Sequence, residues 1–374
     1  MYLRASFLVA TILAPGCVTD VRDEPSKTVQ QNIGSCDTWM CGSNSPQIAE
    51  FGFWELAVPP NTSVAGQPNN AGLSLVRFEK GLGRYLPRVV KGKLVALPTT
   101  SVPPFNVVLT GSSLVGGALL LRNGPRQFKL RVDATGEVKS WAQPSDPAVP
   151  RVALESYLLD WSEMAPNGAY ERFVNMCNHP GGRDATGMNG PLSYQTLLFE
   201  GDRINATEKT VYGVDPTWFN LGCAGSALAK MALTGHTEAA RIAHSFNTSP
   251  LERQTILKMF AGDYCGDGTP YTVAGQPLNW ADERGTMKMP ALLASPPLQV
   301  VREARWTPDG AACLDQPRID VHWTALGDQT FAANGKVLDQ VLAHCPSLKP
   351  CDGNTLDFSG YHLITATEPL APPP

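Results

Sequence analysis

Nine cysteines are distributed along this 374-residue chain, and they limit the folds open to it more than any other feature of the sequence. If the first of them, Cys17, is set apart, an even number remains, and no two are spaced as Cys-x-x-Cys. Even cysteine counts in exported proteins are typical of disulfide frameworks, whereas zinc sites need closely spaced ligands. We therefore expect no zinc site and four disulfides, built from Cys36, Cys41, Cys177, Cys223, Cys265, Cys313, Cys345 and Cys351.

The pairing within this set stays open, because eight cysteines allow many connectivities. Cys36 and Cys41 are close enough along the chain to close a small loop, and so are Cys345 and Cys351. We predict these two loops.

The first residues predict export. Met1–Arg4 is a short basic start, and Ala5–Ala14 is an apolar run too short to span a bilayer as a permanent helix. The following Leu13-Ala-Pro-Gly-Cys17 is similar to a bacterial lipoprotein cleavage box, although its leucine stands one position earlier than usual. We expect a signal peptide over 1–16 and a lipid on Cys17, with ordinary secretory cleavage at about the same place as the alternative.

Composition favours a folded body and argues against nucleic acid as a partner. Hydrophobic residues make up 43% of the chain and charged residues only 17%, which excludes disorder driven by charge repulsion. The 30 basic and 34 acidic residues include no two adjacent Lys or Arg, so the footprint of nucleic-acid binding is missing. The partners we expect are a membrane, through the lipid on Cys17, and an envelope or extracellular ligand; we expect no cofactor.

The first half of the chain predicts β-structure. Residues 17–35 have few large apolar side chains and predict a flexible tether. Residues 36–165 predict an antiparallel β domain. Its features are strand candidates at Ser74–Phe78, Val89–Leu97, Ala118–Arg122, Gln127–Val132 and Val138–Trp141, an Asn123-Gly124 hairpin turn, a further turn at 134–136 and a break at 143–150.

Residues 166–365 predict short helices mixed with strands, ahead of a Pro-rich tail at 366–374. The best-marked helix is Leu251–Phe260, because Ser249 suits its N-cap and Pro250 its first turn. The other helix candidates are Leu221–Thr234, Thr237–Phe246 and Lys336–Cys345. The predicted fold class is α+β, with an N-terminal antiparallel β domain followed by a disulfide-stapled C-terminal domain of short helices and strands.

Four blocks within 218–314 carry a resemblance to a known family. They are Asn220–Lys230, Ala261–Thr272, Gly275–Asp282 and Ala304–Leu314. In this order they resemble the ADYC domain of bacterial, myxobacterial-type envelope lipoproteins, a family of unknown function. The motif residues are Lys230, Asp263, Tyr264, Cys265, Gly266, Asp267 and Gly268, and Gly262 replaces the alanine of the family's name. The resemblance implies an ADYC-like α+β domain over 166–365.

The resemblance also implies a contact between two helices. Many members carry cysteines at the positions of Met231 and Ile256. We infer that these cysteines pair in relatives and that the two helices pack against each other there. In this chain an apolar contact would replace the bond.

The sequence contains candidate residues for two kinds of site, a calcium site and a thiol nucleophile. Asp263 and Asp267 are oxygen ligands suited to calcium, but Ala274 stands where an EF-hand needs its last carboxylate. The favoured interpretation is a glycine turn held by Cys265.

Cys223, at the start of a predicted helix, is a candidate thiol nucleophile with His322 as its base. The favoured interpretation of Cys223 is that it forms a disulfide.

Carbohydrate chemistry is a further alternative, because tryptophans stack on sugars and paired carboxylates cleave glycosidic bonds. The candidate tryptophans are Trp54, Trp161, Trp218, Trp280, Trp306 and Trp323.

The leading hypothesis is an exported lipoprotein of the outer membrane or cell surface, or otherwise a periplasmic or secreted protein, with a binding or structural role. A secreted hydrolase, of the Cys/His type or carbohydrate-active, is the rival.

Overall fold

The computed structural model describes residues 39, 45–142, 151–177, 194–237, 248–272, 278–282, 301–318, 337–352 and 363–367. Within these ranges the chain is mostly β-structure with short helices, which agrees with the predicted α+β class. The strands are β1 (Gln47–Ile48), β2 (Phe51–Gly52), β3 (Glu55–Ala57), β4 (Ser74–Lys80), β5 (Gly83–Val90), β6 (Lys93–Pro98), β7 (Leu109–Thr110), β8 (Ala118–Asn123), β9 (Arg126–Lys139), β10 (Ala153–Glu163), β11 (Val174–Asn175), β12 (Gln195–Asn205), β13 (Thr210–Cys223), β14 (Asn279–Asp282), β15 (Val301–Thr307), β16 (Gly310–Leu314) and β17 (Leu363–Thr367). The helices are α1 (Ala227–Leu233), α2 (Pro250–Ala261) and α3 (Val337–His344), with a short 3-10 helix at Gly111–Leu114.

One large antiparallel sheet organises the molecule. Ten of its eleven strands follow the order β3-β13-β12-β10-β9-β8-β4-β5-β6-β7, and the eleventh, β11, pairs with β10. Strands β10 and β12 pair directly, with Ser156 opposite Leu197. The sheet therefore continues across the boundary predicted at residue 165, and strands from both sides of that boundary share one hydrophobic core.

A second, four-stranded antiparallel sheet has the order β14-β17-β15-β16. Strand β17 includes residues 366 and 367, so strand structure extends into the segment predicted as a tail. The predicted leader, the tether and the break at 143–150 lie outside the described residues, as does the rest of the tail.

The Asn123-Gly124 hairpin is confirmed. It joins β8 to β9, with Asn123 opposite Arg126 and with Gly124 at a φ of 55°. This positive φ is the backbone conformation that such tight hairpins require, and glycine adopts it without steric cost.

Two neighbouring predictions are wrong. The single strand predicted over Val89–Leu97 is instead the two arms of a hairpin, because Lys91 and Gly92 adopt φ values of 52° and 74° and reverse the chain. The turn predicted at 134–136 is absorbed into β9, which continues to Lys139 as a bulged strand.

Helix α2 confirms the best-marked helix prediction. The Ser249 hydroxyl accepts the Glu252 amide at 3.2 Å, and the Glu252 carboxylate accepts the Ser249 amide at 2.6 Å. This capping box satisfies two backbone donors that a helix start otherwise leaves unpaired. Helix α3 confirms the prediction over Lys336–Cys345, whereas Thr237–Phe246 lies almost wholly outside the described residues.

Helix α1 begins later than predicted. Leu221 and Cys223 belong to the end of β13, and the helix starts at Ala227, after Ser226 accepts the Ala229 amide at 3.1 Å. The end of β13 is buried, so its apolar pattern resembles that of a buried helix. Helices α1 and α2 pack against each other, with Met231 and Ile256 both fully buried, as the family resemblance implies.

Three disulfides lie within the described residues. They are Cys177–Cys223, Cys265–Cys345 and Cys313–Cys351. The predicted Cys345–Cys351 loop is therefore wrong, because each of these cysteines bonds to a partner much farther away along the chain. Cys17, Cys36 and Cys41 lie outside the described residues.

Among the described residues, no helix has the length and apolar character needed to cross a bilayer.

Candidate functional site

The ADYC motif is a turn that follows α2. Gly262 ends the helix in a left-handed conformation, with a φ of 65°. The chain then passes through Asp263, Tyr264 and Cys265 before it reaches the glycines of the motif. Asp263 and Tyr264 are buried, so this part of the motif faces the interior.

A buried ion pair fixes this turn. The Lys258 ammonium donates to Asp263 Oδ2 at 2.7 Å, to the Gly266 carbonyl at 2.8 Å and to the Glu208 carbonyl at 2.5 Å. Because an ammonium has three donors, these bonds use its full capacity. Burial raises the pKa of Asp263 above its usual value, although Lys258 acts in the opposite direction. Lys258 thus ties the motif to the β12–β13 turn, which contains Glu208.

Tyr264 anchors the motif on its other side. Its hydroxyl donates to Glu303 on β15, which also accepts from Arg318 Nε at 2.6 Å. The Tyr264 ring stacks on Trp306, with the ring centroids 5.3 Å apart. Burial, followed by the charge of Glu303, raises the pKa of Tyr264 well above its usual range. The phenol is therefore a neutral structural donor.

Cys265 and Asp267 bind the motif to α3. Cys265 is bonded to Cys345, directly after that helix, and Asp267 Oδ2 lies 2.8 Å from Nε2 of His344. Although burial opposes the change, the Thr269 amide and His344 lower the pKa of Asp267 below its usual value. The two calcium candidates, Asp263 and Asp267, are therefore bonded to different side chains, Lys258 and His344. Within the described residues no three side chains of metal-ligand type come together.

Two motif glycines allow close backbone approaches. Gly268 has a φ of 91°, and a Cβ there would lie 2.1 Å from the Thr207 carbonyl oxygen. Gly266 has a φ of 76°, and a Cβ there would lie 1.9 Å from the Asp309 carbonyl oxygen. The amide of Gly268 also donates to Asp263 at 2.8 Å. No other residue type fits at these positions.

The motif turn and the β12–β13 turn together form one wall of a cleft, which we call the Trp54 cleft. Its volume is about 480 Å³. The described residues that line it are Ser45, Gly52, Phe53, Trp54, Ala206, Thr207, Lys209, Gly268, Thr269 and Pro270. They come from four separate parts of the chain, and the Lys258–Asp263 pair holds two of these parts together.

Lys209 and Trp54 give the cleft its chemical character. The Lys209 ammonium lies 5.0 Å from the centroid of the Trp54 ring and donates to the Ala206 carbonyl at 2.9 Å. The Trp54 indole N–H donates to the Ser45 hydroxyl at 3.3 Å. The described lining residues include no Asp, Glu, His or Cys. The cleft therefore offers a cation, hydroxyls and aromatic surface, and its described lining includes no carboxylate, imidazole or thiol.

A smaller cavity of about 130 Å³ adjoins the cleft and includes Glu55. The Glu55 carboxylate accepts from Arg203 at 3.1 Å, from the Tyr212 hydroxyl at 2.8 Å and from the Ile204 amide at 2.8 Å. Burial, followed by Glu55, raises the pKa of Tyr212 to about 12. Through these bonds Glu55 holds β3 against β12 and β13.

The candidate catalytic cysteine is not a free thiol. Cys223 is fully buried, ends a strand and is bonded to Cys177, so neither a helix dipole nor a thiolate is available there. Its proposed partner, His322, lies outside the described residues. The motif lysine, Lys230, lies on α1, where its carbonyl accepts from the Thr234 hydroxyl at 3.0 Å.

Two carboxyl groups lie close together on the main sheet, and the sequence alone does not predict this pair. Asp133 on β9 and Asp160 on β10 are close enough to shift each other's pKa. Burial, followed by Asp133, raises the pKa of Asp160 to about 6. Asp133 accepts from Arg131 at 2.9 Å and Asp160 accepts from the Asn175 side-chain amide at 3.1 Å, so neighbouring side chains engage both carboxyls. Neither residue lines the Trp54 cleft.

Comparisons with known proteins agree with the motif. The model of the ADYC domain matches residues 111–320, which is more than half of the chain and extends well before the blocks quoted above. Neither the curated proteins nor the solved structures searched contain a match. The matched range runs from the 3-10 helix before β8 to beyond β16, so it includes both the motif and the central strands of the main sheet. The chain belongs to the ADYC domain family.

Proposed function

We propose that the chain is an exported cell-envelope lipoprotein whose folded body binds a small ligand in the Trp54 cleft. In this proposal residues 1–16 are removed and a lipid on Cys17 anchors the protein at the outer membrane or cell surface. The three disulfides support a location outside the cytoplasm, because disulfides form and persist in oxidising compartments.

The observation that carries the binding role is the lining of the cleft. Its volume of about 480 Å³ lies in the range of small-molecule sites. Its described lining residues include no carboxylate, imidazole or thiol, the groups that hydrolases most often use as acid, base or thiol nucleophile. The disulfide at Cys223 also argues against the thiol-hydrolase alternative. A binding role therefore fits the site better than catalysis.

Lys209 indicates the class of ligand. It is the charged residue among the described cleft residues, and its ammonium lies beside an aromatic ring in a largely buried position. Opposite charge in a partly desolvated site binds more strongly than on an open surface. We infer a ligand with a carboxylate or phosphate group that contacts Lys209.

Thermal unfolding with small-molecule probes tests this role. Glucuronate, N-acetylmuramate and inorganic phosphate are anionic probes, and glucose is the neutral control. We expect at least one anion to raise Tm in a concentration-dependent way while glucose leaves it unchanged. Lys209→Met should abolish the shift, whereas Lys139→Met, at an exposed lysine on β9, should retain it. The binding role is wrong if no anion shifts Tm or if Lys209→Met responds like the parent protein.

The anchor is tested separately. Intact mass of the membrane-extracted protein should show the added mass of acyl chains on a chain that starts at Cys17. Cys17→Ser should release the protein from the membrane fraction. An unmodified mass would disprove the lipid anchor without bearing on the cleft.

A further inference from the structure

One end of the main sheet has the opposite charge sign to the rest of the chain. Residues 80–110 form β5, β6 and β7 with their connections, and they contain five basic residues and no acidic residue. These basic residues are Lys80, Arg84, Arg88, Lys91 and Lys93. In the whole chain, 34 acidic residues outnumber 30 basic ones. Lys80 and Arg84 flank the β4–β5 turn, whereas Lys91 and Lys93 lie at the β5–β6 turn, where Lys93 is 3.9 Å from Glu155.

The same stretch exposes apolar side chains. Leu82, in the β4–β5 turn, is 90% exposed, and Val102, in the loop between β6 and β7, is 62% exposed. Val107 and Val108, later in that loop, are also about half exposed. Four of the nine large hydrophobic side chains that are exposed among the described residues lie in the β4–β5 turn and the β6–β7 loop. Such a concentration is typical of an interaction surface, whereas single exposed residues are not.

These side chains lie at one end of the sheet. Strand β6 ends with Pro98 opposite Tyr85, so the following loop leaves the sheet beside the β4–β5 turn. The Thr99 hydroxyl donates to the Arg84 carbonyl at 3.0 Å. The Phe105 ring lies so close to Gly83 that a Cβ at that glycine would be 2.9 Å from it. The loop is therefore packed against the turn.

We call the group Leu82, Arg84, Val102, Val107 and Val108 the tip surface. Its positive charge comes from Arg84, and Lys80 lies at the end of β4 on the other side of the turn. Glu79, opposite Arg84, is already bonded to Arg77 at 2.6 Å and lies 3.4 Å from Lys129. Within the described residues Arg84 forms no ion pair and its side chain is exposed.

We propose that the tip surface docks the folded body on an anionic lipid bilayer. The leucine and the valines enter the boundary between headgroups and acyl chains, while Arg84 and Lys80 contact lipid phosphates. Attachment of this kind strengthens with the apolar area buried and with the negative charge of the lipid. Charge complementarity selects a lipid surface with acidic headgroups, since the tip lacks acidic residues of its own. The proposal is independent of the lipid on Cys17 and of the Trp54 cleft.

Vesicle sedimentation tests the proposal on the full exported chain with Cys17→Ser. We expect the protein to sediment with vesicles of phosphatidylcholine and phosphatidylglycerol in equal parts, more weakly at high salt, and to stay in solution with phosphatidylcholine alone. Arg84→Glu should weaken the partition coefficient about tenfold, and Leu82→Ser with Val102→Ser should weaken it at least as much. The matched controls Arg172→Glu and Val214→Ser, exposed elsewhere, should leave it unchanged.

A second measurement reports insertion directly and does not depend on loss of binding. Leu82→Trp should show a blue-shifted emission component when phosphatidylglycerol vesicles are added, and Val214→Trp should not. Equal binding to both vesicle types, no binding to either, equal losses in the control variants, or an unshifted Leu82→Trp emission would each overturn the proposal.

Discussion

The Lys258 ammonium lies 2.7 Å from the Asp263 carboxylate, and neither side chain is accessible to solvent. Lys258 also donates to the Glu208 carbonyl, and Asp263 accepts from the Gly268 amide. The pair therefore joins the motif turn to the β12–β13 turn, and both turns line the Trp54 cleft. Lys258 and Asp263 thus support a cleft that neither of them lines.

Breaking this pair should destabilise the protein strongly. Lys258→Met leaves a buried carboxylate without its cation, and we expect a loss of about 3 to 5 kcal/mol in the free energy of unfolding. Adding Asp263→Leu should recover part of this loss, because the unpaired charge is removed. Denaturant unfolding followed by tryptophan fluorescence measures both. The exposed Lys139→Met is the control, and a loss in Lys258→Met no larger than in this control would refute the structural role.

Gly268→Ala should be far more harmful than an ordinary glycine substitution. A left-handed backbone costs about 1 to 3 kcal/mol for other residues, and here the added Cβ would also meet the Thr207 carbonyl at 2.1 Å. Gly81→Ala is a matched control, because Gly81 has a φ of 57° but nothing within 4 Å of its Cβ position. We expect the difference between the two variants to be at least about 1 kcal/mol. Equal losses would mean that the approach to Thr207 is not tight.

Peptide mapping without reduction should recover three linked pairs, Cys177–Cys223, Cys265–Cys345 and Cys313–Cys351. Removing one pair by Cys265→Ser with Cys345→Ser should lower the free energy of unfolding by about 2 to 5 kcal/mol. A Cys345–Cys351 peptide in the untreated protein would contradict the observed connectivity.

Stability should fall as the pH rises through about 6, because of Asp160. Burial and Asp133 raise the pKa of its carboxyl to about 6 in the folded protein, from 3.8. Between these values the folded state holds a proton that the unfolded state releases, so this contribution to stability is present at low pH and is lost above pH 6. Because the group is partly exposed, we expect an effect of about 1 kcal/mol.

Asp160→Asn isolates this effect. The variant should be more stable than the parent above pH 7 and should lose the pH dependence between pH 4 and 6, as measured by urea unfolding across pH. Asp133→Asn should remove part of the same dependence, because Asp133 is the charged neighbour that contributes to the raised pKa of Asp160. A parent protein whose stability rises through this window would contradict the assignment.

Local backbone structure, such as helix caps and tight turns, is predictable from the sequence. The capping box at Ser249 and the Asn123-Gly124 turn each depend on residues a few positions apart, so the local sequence is sufficient to predict them. The turn at Lys91 is hard to predict because a lysine is an unusual residue for a positive φ. Leu221 fits a helix pattern because a strand buried on both faces lacks the alternation that identifies strands.

The site could not be predicted in the same way. Trp54 was considered as a sugar-stacking residue, but Lys209 was not, because only the folded sheet brings their two segments together. The motif was found, yet its role was not, since the buried pair combines Asp263 with Lys258 from the preceding helix. Disulfide partners depend on the same long-range geometry, which sequence distance does not reveal.

The order of the cysteines has a consequence for how the protein matures. Cys177 can meet Cys223 as soon as that segment has crossed into the oxidising compartment, but Cys265 must wait for Cys345 while Cys313 passes it. An oxidase that joins cysteines in order of arrival would link Cys265 to Cys313, and thiol–disulfide exchange would then be needed to reach the native pairs. The ADYC turn therefore gains its disulfide only after Cys345 has arrived, and with such an oxidase the native pairs would require a disulfide isomerase.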